Sequence, residues 1–325
     1  MKAAILYSPG DLPQYADVAE PLVQDADELL LTVTAAALKN LDRSQAKGTH
    51  YSTTTADAQP PARIIGGDAV GTLPDGTRVY ALGSSGTLAE RARIDRRRLV
   101  QLPAGLDDAT AAALPNAVIG AAMALRFRAG LQPGDTVLIN GATGVTGRVA
   151  VQLAKLYGAR RVIATGRNPA SLQALKSLGV DEVISLQQPD ETLVDQLRTL
   201  HAATPLDVII DYVWGHSAEL LLRALRGTGT FTHRVRFVSV GTVAGDSVTL
   251  SGATLRSVDL QLSGSGLGSW SREQVGQLFT TILPEALQWA AEGRLLVETV
   301  TVRLHDIGHV WDLDVPAGKR LVVLV

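Results

Sequence analysis

The chain has 325 residues, of which 46% are hydrophobic, and its formal net charge at pH 7 is −2. This length is typical of two domains, and the small charge gives no electrostatic reason to expect binding to nucleic acid or to an anionic membrane surface. The chain has no cysteine, which excludes disulfides, thiolate catalysis and zinc sites that need cysteine ligands. We find no signal peptide and no run of about 18 uncharged apolar residues, so we predict a cytoplasmic protein without a membrane partner.

The first part of the chain is predicted to be rich in β-strand. Residues 28–38 have a strand pattern, and residues 66–82 predict two strands joined by a turn at 74–76. Residues 89–103 alternate between apolar and polar side chains and predict a further strand.

The middle of the chain is predicted to contain both helices and strands. A helix is predicted to begin after Asp107 as its N-cap, and Pro115 is expected to break or kink it. Short apolar strands then alternate with amphipathic helices, which is typical of a parallel, doubly wound sheet. These predicted strands are residues 136–140, 161–165, 182–186, 206–213 and 236–241. The tail predicts a helix, a strand, another short helix and a final strand, so the fold class is α/β.

A glycine-rich stretch, NGATGVTG at residues 140–147, joins the first of these strands to a helix. Its spacing is G-x-x-G-x-x-G, which departs from the common G-x-G-x-x-G fingerprint but meets the same needs: a tight turn, close approach of a phosphate, and close packing of helix on strand. Amides at the helix start, helped by the helix dipole, are predicted to bind a pyrophosphate. The alternative is a structural turn without a ligand. The predicted cofactor contacts here are Gly141, Thr143, Gly144, Val145, Thr146 and Gly147.

The end of the next strand indicates which dinucleotide would bind. NAD sites usually have Asp or Glu about 20 residues after the glycines, to hold the ribose 2′-hydroxyl. Residues 136–180 contain no acidic residue, and Gly166, Arg167 and Asn168 stand at that place. A guanidinium there favours the 2′-phosphate of NADP(H), although a solvated arginine is the plainer alternative. Asn168 is also a predicted N-cap, followed by Pro169 in the first helical position.

Residues 130–168 resemble the medium-chain dehydrogenase/reductase superfamily, and most of all its zinc-independent quinone oxidoreductase branch. The likeness extends over nearly the whole chain, for example to AAALKNLDRSQAKGTHYS at residues 35–52. The resemblance implies a GroES-like catalytic domain from residues 1–117 and 267–325, around a Rossmann NADP(H)-binding domain of residues 118–266. It further implies a cofactor in the cleft between the domains and a homodimer.

Zinc-dependent members of that superfamily hold their catalytic metal with a Cys, a His and another Cys. The corresponding places in this chain have Lys39 and Gly67, with Asn116 near the third, so the resemblance implies no metal. His305 and His309 are spaced i,i+4, but no matching third ligand is evident, and ordinary surface histidines are the preferred interpretation.

The short-chain reductases are the rival family, because TGVTG is similar to part of their glycine motif. Those enzymes need a Tyr-x-x-x-Lys pair, and none of the six tyrosines of this chain has Lys four residues later. We therefore reject that family.

Catalysis without a metal needs an acceptor that delocalises the incoming charge, such as a quinone, an enone or an α,β-unsaturated thioester. The resemblance places residues 39–42 and 49–52 beside the nicotinamide. We predict Tyr51 as hydrogen-bond donor to the substrate oxygen, Asn40 as a positioning residue and Asp42 as an orienting group. The alternative is that Tyr51 only packs on a loop and Asn40 only caps a turn. Lys39 and Asn40 are adjacent, so both are not expected to point inward.

Further cofactor contacts are expected where parallel strands end. These residues are Asp211, Tyr212, Val213, Val240, Gly241, Gly264, Ser265 and Gly266. The sequence therefore predicts an NADPH-dependent oxidoreductase that reduces a small quinone or enone. An enoyl-thioester reductase and a low-turnover NADPH-binding sensor or structural protein are the alternatives.

Overall fold

The computed structural model describes residues 1–50 and 62–325. It divides into two compact units, Met1–Pro115 with Gln277–Val325, and Asn116–Gly276. The predicted domain boundaries at 117 and 266 stay predictions, and residues 267–276 lie with the second unit. One reason is local, because the Trp270 indole donates a hydrogen bond to the Ser265 hydroxyl at 3.1 Å and so holds this segment to the last strand of that unit.

The strands of the described residues are numbered in chain order. They are β1 (Lys2–Leu6), β2 (Gln14–Asp17), β3 (Glu28–Leu38), β4 (Arg63–Ile64), β5 (Asp68–Thr72), β6 (Arg78–Gly83), β7 (Arg91–Gln101), β8 (Thr136–Asn140), β9 (Arg161–Gly166), β10 (Glu182–Ser185), β11 (Val208–Asp211), β12 (Val235–Ser239), β13 (Leu260–Gly264), β14 (Glu298–Arg303) and β15 (Lys319–Leu324).

The α-helices are numbered in the same way. They are α1 (Asn40–Ala46), α2 (Asp108–Ala122), α3 (Val145–Leu156), α4 (Pro169–Ala174), α5 (Asp190–Ala203), α6 (Gly215–Ala224), α7 (Gly252–Ser257), α8 (Arg272–Gln277), α9 (Leu283–Ala291) and α10 (Ile307–Val310). Short 3₁₀ segments occupy Leu175–Leu178, Leu267–Ser269 and Leu304–Asp306, and π-helical turns occupy Met123–Arg128 and Leu278–Ile282.

The first unit is built mainly on antiparallel strands, and among its described pairings β14 with β15 is parallel. A six-stranded sheet has the order β14-β15-β3-β5-β6-β7, and β3 also pairs with β7, so four of its strands close on themselves. A smaller sheet has the order β2-β1-β4. The apolar faces of these strands bury a core that includes Leu31, Ile94 and Trp311, each at most 2% exposed. The strands predicted at 28–38, 66–82 and 89–103 are confirmed.

The second unit is a six-stranded sheet whose described pairings are all parallel, with the order β10-β9-β8-β11-β12-β13. Counted from β8 this is the order 3-2-1-4-5-6 of dinucleotide-binding domains, in which ligands bind where the order reverses. That reversal lies between β8 and β11. The predicted mixed α/β fold, with a Rossmann sheet and a β-rich domain, is confirmed.

The predicted break at Pro115 is wrong, and a kink at this residue stays a prediction. Helix α2 continues through this residue, and its Asp107 cap is confirmed by a 2.9 Å hydrogen bond from the Thr110 amide to the Asp107 carboxylate. Proline inside a helix destabilises the helix by about 3 kcal/mol. Leu114 and Val118 on either side are fully buried, and burial of each such side chain stabilises the fold by about 1.5–3 kcal/mol. Burial of both halves therefore outweighs the defect.

Residues Asp108–Arg128 form one continuous helical segment of 21 residues whose length and composition would allow it to cross a membrane. Its most apolar window is 67% buried inside the protein, which is how the core helix of a folded domain also looks.

Candidate functional site

The predicted cofactor residues lie at one edge of the parallel sheet. Strands β8, β9, β11, β12 and β13 all point the same way, so the segments that follow them meet at their carboxyl ends. The register pairs Asp211 with both Asn140 and Ser239, which sets the ends of β8, β11 and β12 level. The structure therefore brings to this edge Gly141, Thr143, Gly144, Val145, Thr146, Gly147, Gly166, Arg167, Asn168, Tyr212, Val213, Val240, Gly241, Gly264, Ser265 and Gly266.

The three glycines of the turn after β8 have different surroundings. Gly141 has φ +83°, and a Cβ on it would lie 2.5 Å from the Val213 side chain. A Cβ on Gly147 would lie 2.6 Å from the Ala142 backbone, so α3 packs directly on the turn. A Cβ on Gly144 would meet no atom within 4 Å among the described residues, and Gly144 is exposed. The packing of the protein thus explains why residues 141 and 147 are glycine, because a side chain there would clash. At Gly144 nothing in the described protein would clash, and the lack of a side chain leaves the space beside the helix start open.

Helix α3 begins without a side-chain cap. Gly144 is its N-cap residue, and the first turn has no acidic side chain. The first amides of a helix have no partner within the helix and carry the positive end of its dipole. A phosphate beside Gly144 would meet these amides, and this fits the predicted pyrophosphate site.

Arg167 and Asn168 follow the end of β9. The Asn168 side chain accepts a hydrogen bond from the Ser171 amide at 2.9 Å, which confirms it as the N-cap of α4. The Arg167 side chain is exposed, and no carboxylate pairs with it among the described residues. Arg167 is therefore a cation available to an anionic ligand, while the Asn168 side chain is used in the cap.

Asp211 is predicted as a cofactor contact, but its side chain is buried in a polar network that the sequence did not predict. The Asn140 amide donates to the Asp211 carboxylate at 2.8 Å and to the Ser217 hydroxyl at 3.0 Å, and the Thr165 hydroxyl donates to Asn140 at 2.5 Å. Asn140 and Asp211 are fully buried and Thr165 is 1% exposed. Burial raises the pKa of Asp211 in spite of its hydrogen bonds. The signal was in the sequence, because these apolar strands carry polar residues at or next to their last positions.

The Asp211 carboxylate also holds the segment that follows β11. It accepts hydrogen bonds from the amides of Val213 at 2.9 Å and Trp214 at 3.1 Å. Trp214 has φ +58° and ψ −158°, a conformation that glycine adopts readily and other residues rarely do. Its indole packs edge-on against Phe237, with ring centroids 6.3 Å apart. Such a backbone persists only when its surroundings hold it, and here they fix the course of the chain after Tyr212.

In the first unit, Lys39 is buried in a cluster of charged and polar groups. Its ammonium forms an ion pair with Asp68, lies 3.3 Å from an Asp42 oxygen, and donates to the Ala37 carbonyl at 3.2 Å. The second Asp68 oxygen accepts a hydrogen bond from the Tyr80 hydroxyl at 2.8 Å. Burial alone would lower the pKa of Lys39, but the two carboxylates outweigh it and the pKa is raised, so the ammonium stays charged.

The predicted catalytic residues have different places. Asn40 is exposed and is the first residue of α1, whereas Lys39 before it is buried, so the two side chains do point differently. Asp42 is 4% exposed, and its carboxylate accepts a hydrogen bond from the Lys39 amide at 2.8 Å. Asp42 therefore orients Lys39 and the start of α1. Tyr51 lies outside the described residues, and the roles of Tyr51, Asn40 and Asp42 stay predictions.

The residues of this region do not fit a catalytic zinc ion. Lys39 stands where the resemblance puts the first zinc ligand. Its ammonium already forms ion pairs with the carboxylates of Asp42 and Asp68. Within residues 1–50 and 62–325, no group of three or more His, Asp or Glu side chains is arranged to hold a metal. His305 and His309 are both exposed.

Known proteins are similar to this chain in sequence and in fold. The family model described as "Zinc-binding dehydrogenase" matches residues 145–283. The probable NADPH-dependent quinone reductase of Emericella nidulans is 27% identical over 353 aligned positions, covering 96% of each chain. The solved quinone oxidoreductase of Thermus thermophilus is 28% identical with a TM-score of 0.80, covering 100% of both chains. Part of the erythronolide synthase of Saccharopolyspora erythraea is 31% identical over 294 positions, which is 86% of this chain and 8% of the synthase.

The fold, the glycine turn and these similarities define the class. The chain belongs to the medium-chain dehydrogenase/reductase superfamily. Within it, the chain is one of the quinone oxidoreductase-like enzymes.

Proposed function

We propose that the protein uses NADPH to reduce a small quinone or a C=C bond activated by a carbonyl group. The choice of NADPH rests on two features that occur together. The helix start at Gly144 is open, and Arg167 at the end of the neighbouring strand is exposed. In this order of strands, the helix start would bind the pyrophosphate of either dinucleotide, and a 2′-phosphate at Arg167 is the contact that distinguishes NADPH from NADH. The Thermus thermophilus relative, whose solved complex contains NADPH, supports the same cofactor.

The backbone amides and the side chains of this edge have separate roles in the proposed binding of NADPH. The amides at the start of α3 hold the pyrophosphate, and Arg167 holds the 2′-phosphate. The buried network of Asn140, Thr165 and Asp211 keeps the turns after β8, β9 and β11 in fixed positions. The nicotinamide supplies a hydride, and the remaining task of the protein is to place the acceptor and stabilise its developing charge.

The acceptor is proposed from the residues at the start of α1. The side chains there do not offer a zinc ligand set, and without a Lewis acid an unactivated ketone is a poor hydride acceptor. Quinones and enones spread the incoming charge to an oxygen, which hydrogen-bond donors stabilise. We keep Tyr51 as the proposed donor, Asn40 as the positioning residue, and Asp42 as the group that orients the start of α1.

Steady-state oxidation of NADPH with a panel of small quinones and enones tests the proposal. We expect turnover with NADPH and much weaker turnover with NADH. The variant Tyr51→Phe should lower turnover while leaving NADPH affinity unchanged, because only the phenolic donor is removed. If NADPH binds but no acceptor in the panel is reduced, the low-turnover sensor becomes the better description.

An enoyl-thioester reductase is the second candidate. The observation that favours it is the similarity of 86% of this chain to a segment of a large synthase. Crotonyl-type thioesters belong in the same panel, and a preference for them over every quinone and enone would replace our first choice.

The homodimer and the cytoplasmic location are also proposals. The dimer is supported by the family resemblance and by β13 at the end of the parallel sheet, where Leu262 is 36% exposed. Light scattering of the purified protein would test it.

A further inference from the structure

The hydroxyl of Tyr212 is shielded from solvent and has no hydrogen-bond partner among the described residues. The Tyr212 backbone is well held, because its amide donates to the Asn140 carbonyl at 3.1 Å and the next two amides bond to Asp211. Because the hydroxyl itself is shielded from water, it is not a surface group whose partner is solvent.

An unpaired buried hydroxyl is expensive for the protein by itself. Folding removes its hydrogen bonds to water, and most buried side-chain polar atoms in proteins do find a partner. A phenylalanine would fill the same volume without that cost. A tyrosine in this place is explained if its partner arrives with a ligand.

The position of Tyr212 indicates which part of a dinucleotide it would meet. The sheet has two halves, β10-β9-β8 and β11-β12-β13, and each half holds one mononucleotide of a bound dinucleotide. Arg167 follows β9 in the half that holds the adenosine. Tyr212 follows β11, the first strand of the other half, and its side chain begins beside Gly141, where a Cβ would be 3.6 Å from the Tyr212 Cβ.

We propose that the Tyr212 hydroxyl donates a hydrogen bond to an acceptor atom in the nicotinamide half of the bound dinucleotide. This inference rests on the proposed use of NADPH. Burial raises the pKa of the phenol, so the hydroxyl keeps its proton at neutral pH and acts as a donor. Tyr212 is thus a residue that binds the cofactor by its side chain, in addition to the backbone contacts of the glycine turn.

The test compares Tyr212→Phe with the wild-type protein by calorimetric titration with two probes, NADPH and adenosine 2′,5′-bisphosphate, which lacks the nicotinamide half. We expect Tyr212→Phe to weaken NADPH by about threefold to tenfold, as for one neutral hydrogen bond, and to leave the bisphosphate unchanged. Arg167→Ala should weaken both probes, since its contact lies in the half that they share.

Thermal unfolding without ligand gives a second readout. Tyr212→Phe removes an unpaired hydroxyl, so its melting temperature should equal or exceed that of the wild type. Tyr80→Phe is the matched control, because the Tyr80 hydroxyl is bonded to Asp68 at 2.8 Å in the other unit and its loss should lower the melting temperature without weakening NADPH.

Two outcomes overturn the inference while leaving the proposed function standing: NADPH affinity of Tyr212→Phe within twofold of the wild type, or an equal loss for both probes. If the wild-type protein binds neither probe, the proposed function fails and this inference fails with it.

Discussion

Two basic side chains illustrate how burial separates a structural cation from a binding cation. Lys39 is 4% exposed and its ammonium is surrounded by acceptors from Asp42, Asp68 and Ala37. Arg167 is exposed, and no acidic partner is found for it in the described part of the chain. The first neutralises charge inside the β-rich unit. The second can neutralise the charge of a ligand, and the two therefore predict opposite phenotypes.

Replacement of Lys39 by Met should destabilise the protein by about 3–5 kcal/mol, because two buried carboxylates lose the ammonium between them. The free energy of unfolding from urea denaturation measures this. Lys155→Met is the control, since the Lys155–Asp181 pair at 2.6 Å is partly exposed and should cost about 1 kcal/mol or less. A similar small cost for both variants would show that the Lys39 cluster does not depend on its ammonium.

Replacement of Arg167 by Ala should weaken NADPH by about 1.5–3 kcal/mol, the cost of a hydrogen bond to a charged group, and change NADH affinity little. Titration with each cofactor measures the difference. Arg226→Ala is the control, because Arg226 is exposed and follows the end of α6 at the opposite edge of the sheet. Equal weakening of both cofactors would remove Arg167 from the 2′-phosphate site.

Among the elements, the junction of β8 and α3 combines two demands in one turn. Gly147 lets the helix pack on the backbone of the turn, with 2.6 Å between its would-be Cβ and Ala142. Gly144, three residues earlier, has no such neighbour. In this short segment Gly147 is needed for packing of the fold, and Gly144 is proposed to leave room for the ligand. Substitution of each glycine in turn should separate these two roles.

The variant Gly144→Val should fold like the wild type and bind NADPH at least about tenfold more weakly, since the new side chain enters the proposed pyrophosphate position. Gly144 has φ −76° and ψ 168°, which valine can adopt. Gly147→Val is the comparison, and it should lower the melting temperature because its side chain would meet backbone. Full NADPH affinity in Gly144→Val would contradict the close approach of a phosphate.

Asp181 joins α3 to β9 and makes this part of the fold sensitive to acid. Its carboxylate accepts hydrogen bonds from the Lys155 ammonium at 2.6 Å and the Val162 amide at 2.7 Å. Partial burial alone would raise the pKa of Asp181, but these bonds outweigh it and the pKa is lowered. A lowered pKa in the folded state adds stability above the unfolded pKa of about 3.9, and this stability is lost as the pH falls through the lower folded value.

We therefore expect Asp181→Asn to cost about 1 kcal/mol at pH 6 and much less at pH 3. Urea denaturation at the two pH values measures the difference between the variant and the wild type. A cost that is the same at both pH values would mean that the charge of Asp181 contributes nothing.

For the molecule as a whole, the family name and the residues point in different directions about metal. The matching family model is described as a zinc-binding dehydrogenase, yet the chain has no cysteine, and a lysine ammonium holds the carboxylates where a ligand is expected. The β-rich unit has an internal cation, the Lys39 ammonium, at this place. The proposed chemistry accordingly depends on the acceptor's ability to spread charge.

Turnover should be the same before and after dialysis against a strong chelator, and added zinc should not increase it. Steady-state rates with NADPH and one quinone measure this, with a zinc-dependent alcohol dehydrogenase treated in parallel as the control. A loss of activity on chelation that zinc restores would contradict our account of Lys39.

Much of the fold could be predicted from local pattern. Strand β3 was predicted with the bounds Glu28–Leu38 that the structure has, and the alternation of apolar strands and amphipathic helices predicted the parallel sheet. The predicted break at Pro115 is wrong because the prediction considered only the local cost of proline. It left out the burial of the side chains on either side. Local rules succeed where an element's own residues decide, and fail where distant packing outweighs them.

The sequence by itself determined the order of the elements, the glycine turn and the basic residue at the end of β9, since each depends on residues close together in the chain. Only the tertiary structure decided that Asn140 meets Asp211, 71 residues away, that Lys39 pairs with Asp68, 29 residues away, and that the Tyr212 hydroxyl stays unpaired among the described residues. Such contacts depend on which strands lie side by side, and that choice is made by packing of the whole unit, which no short segment encodes.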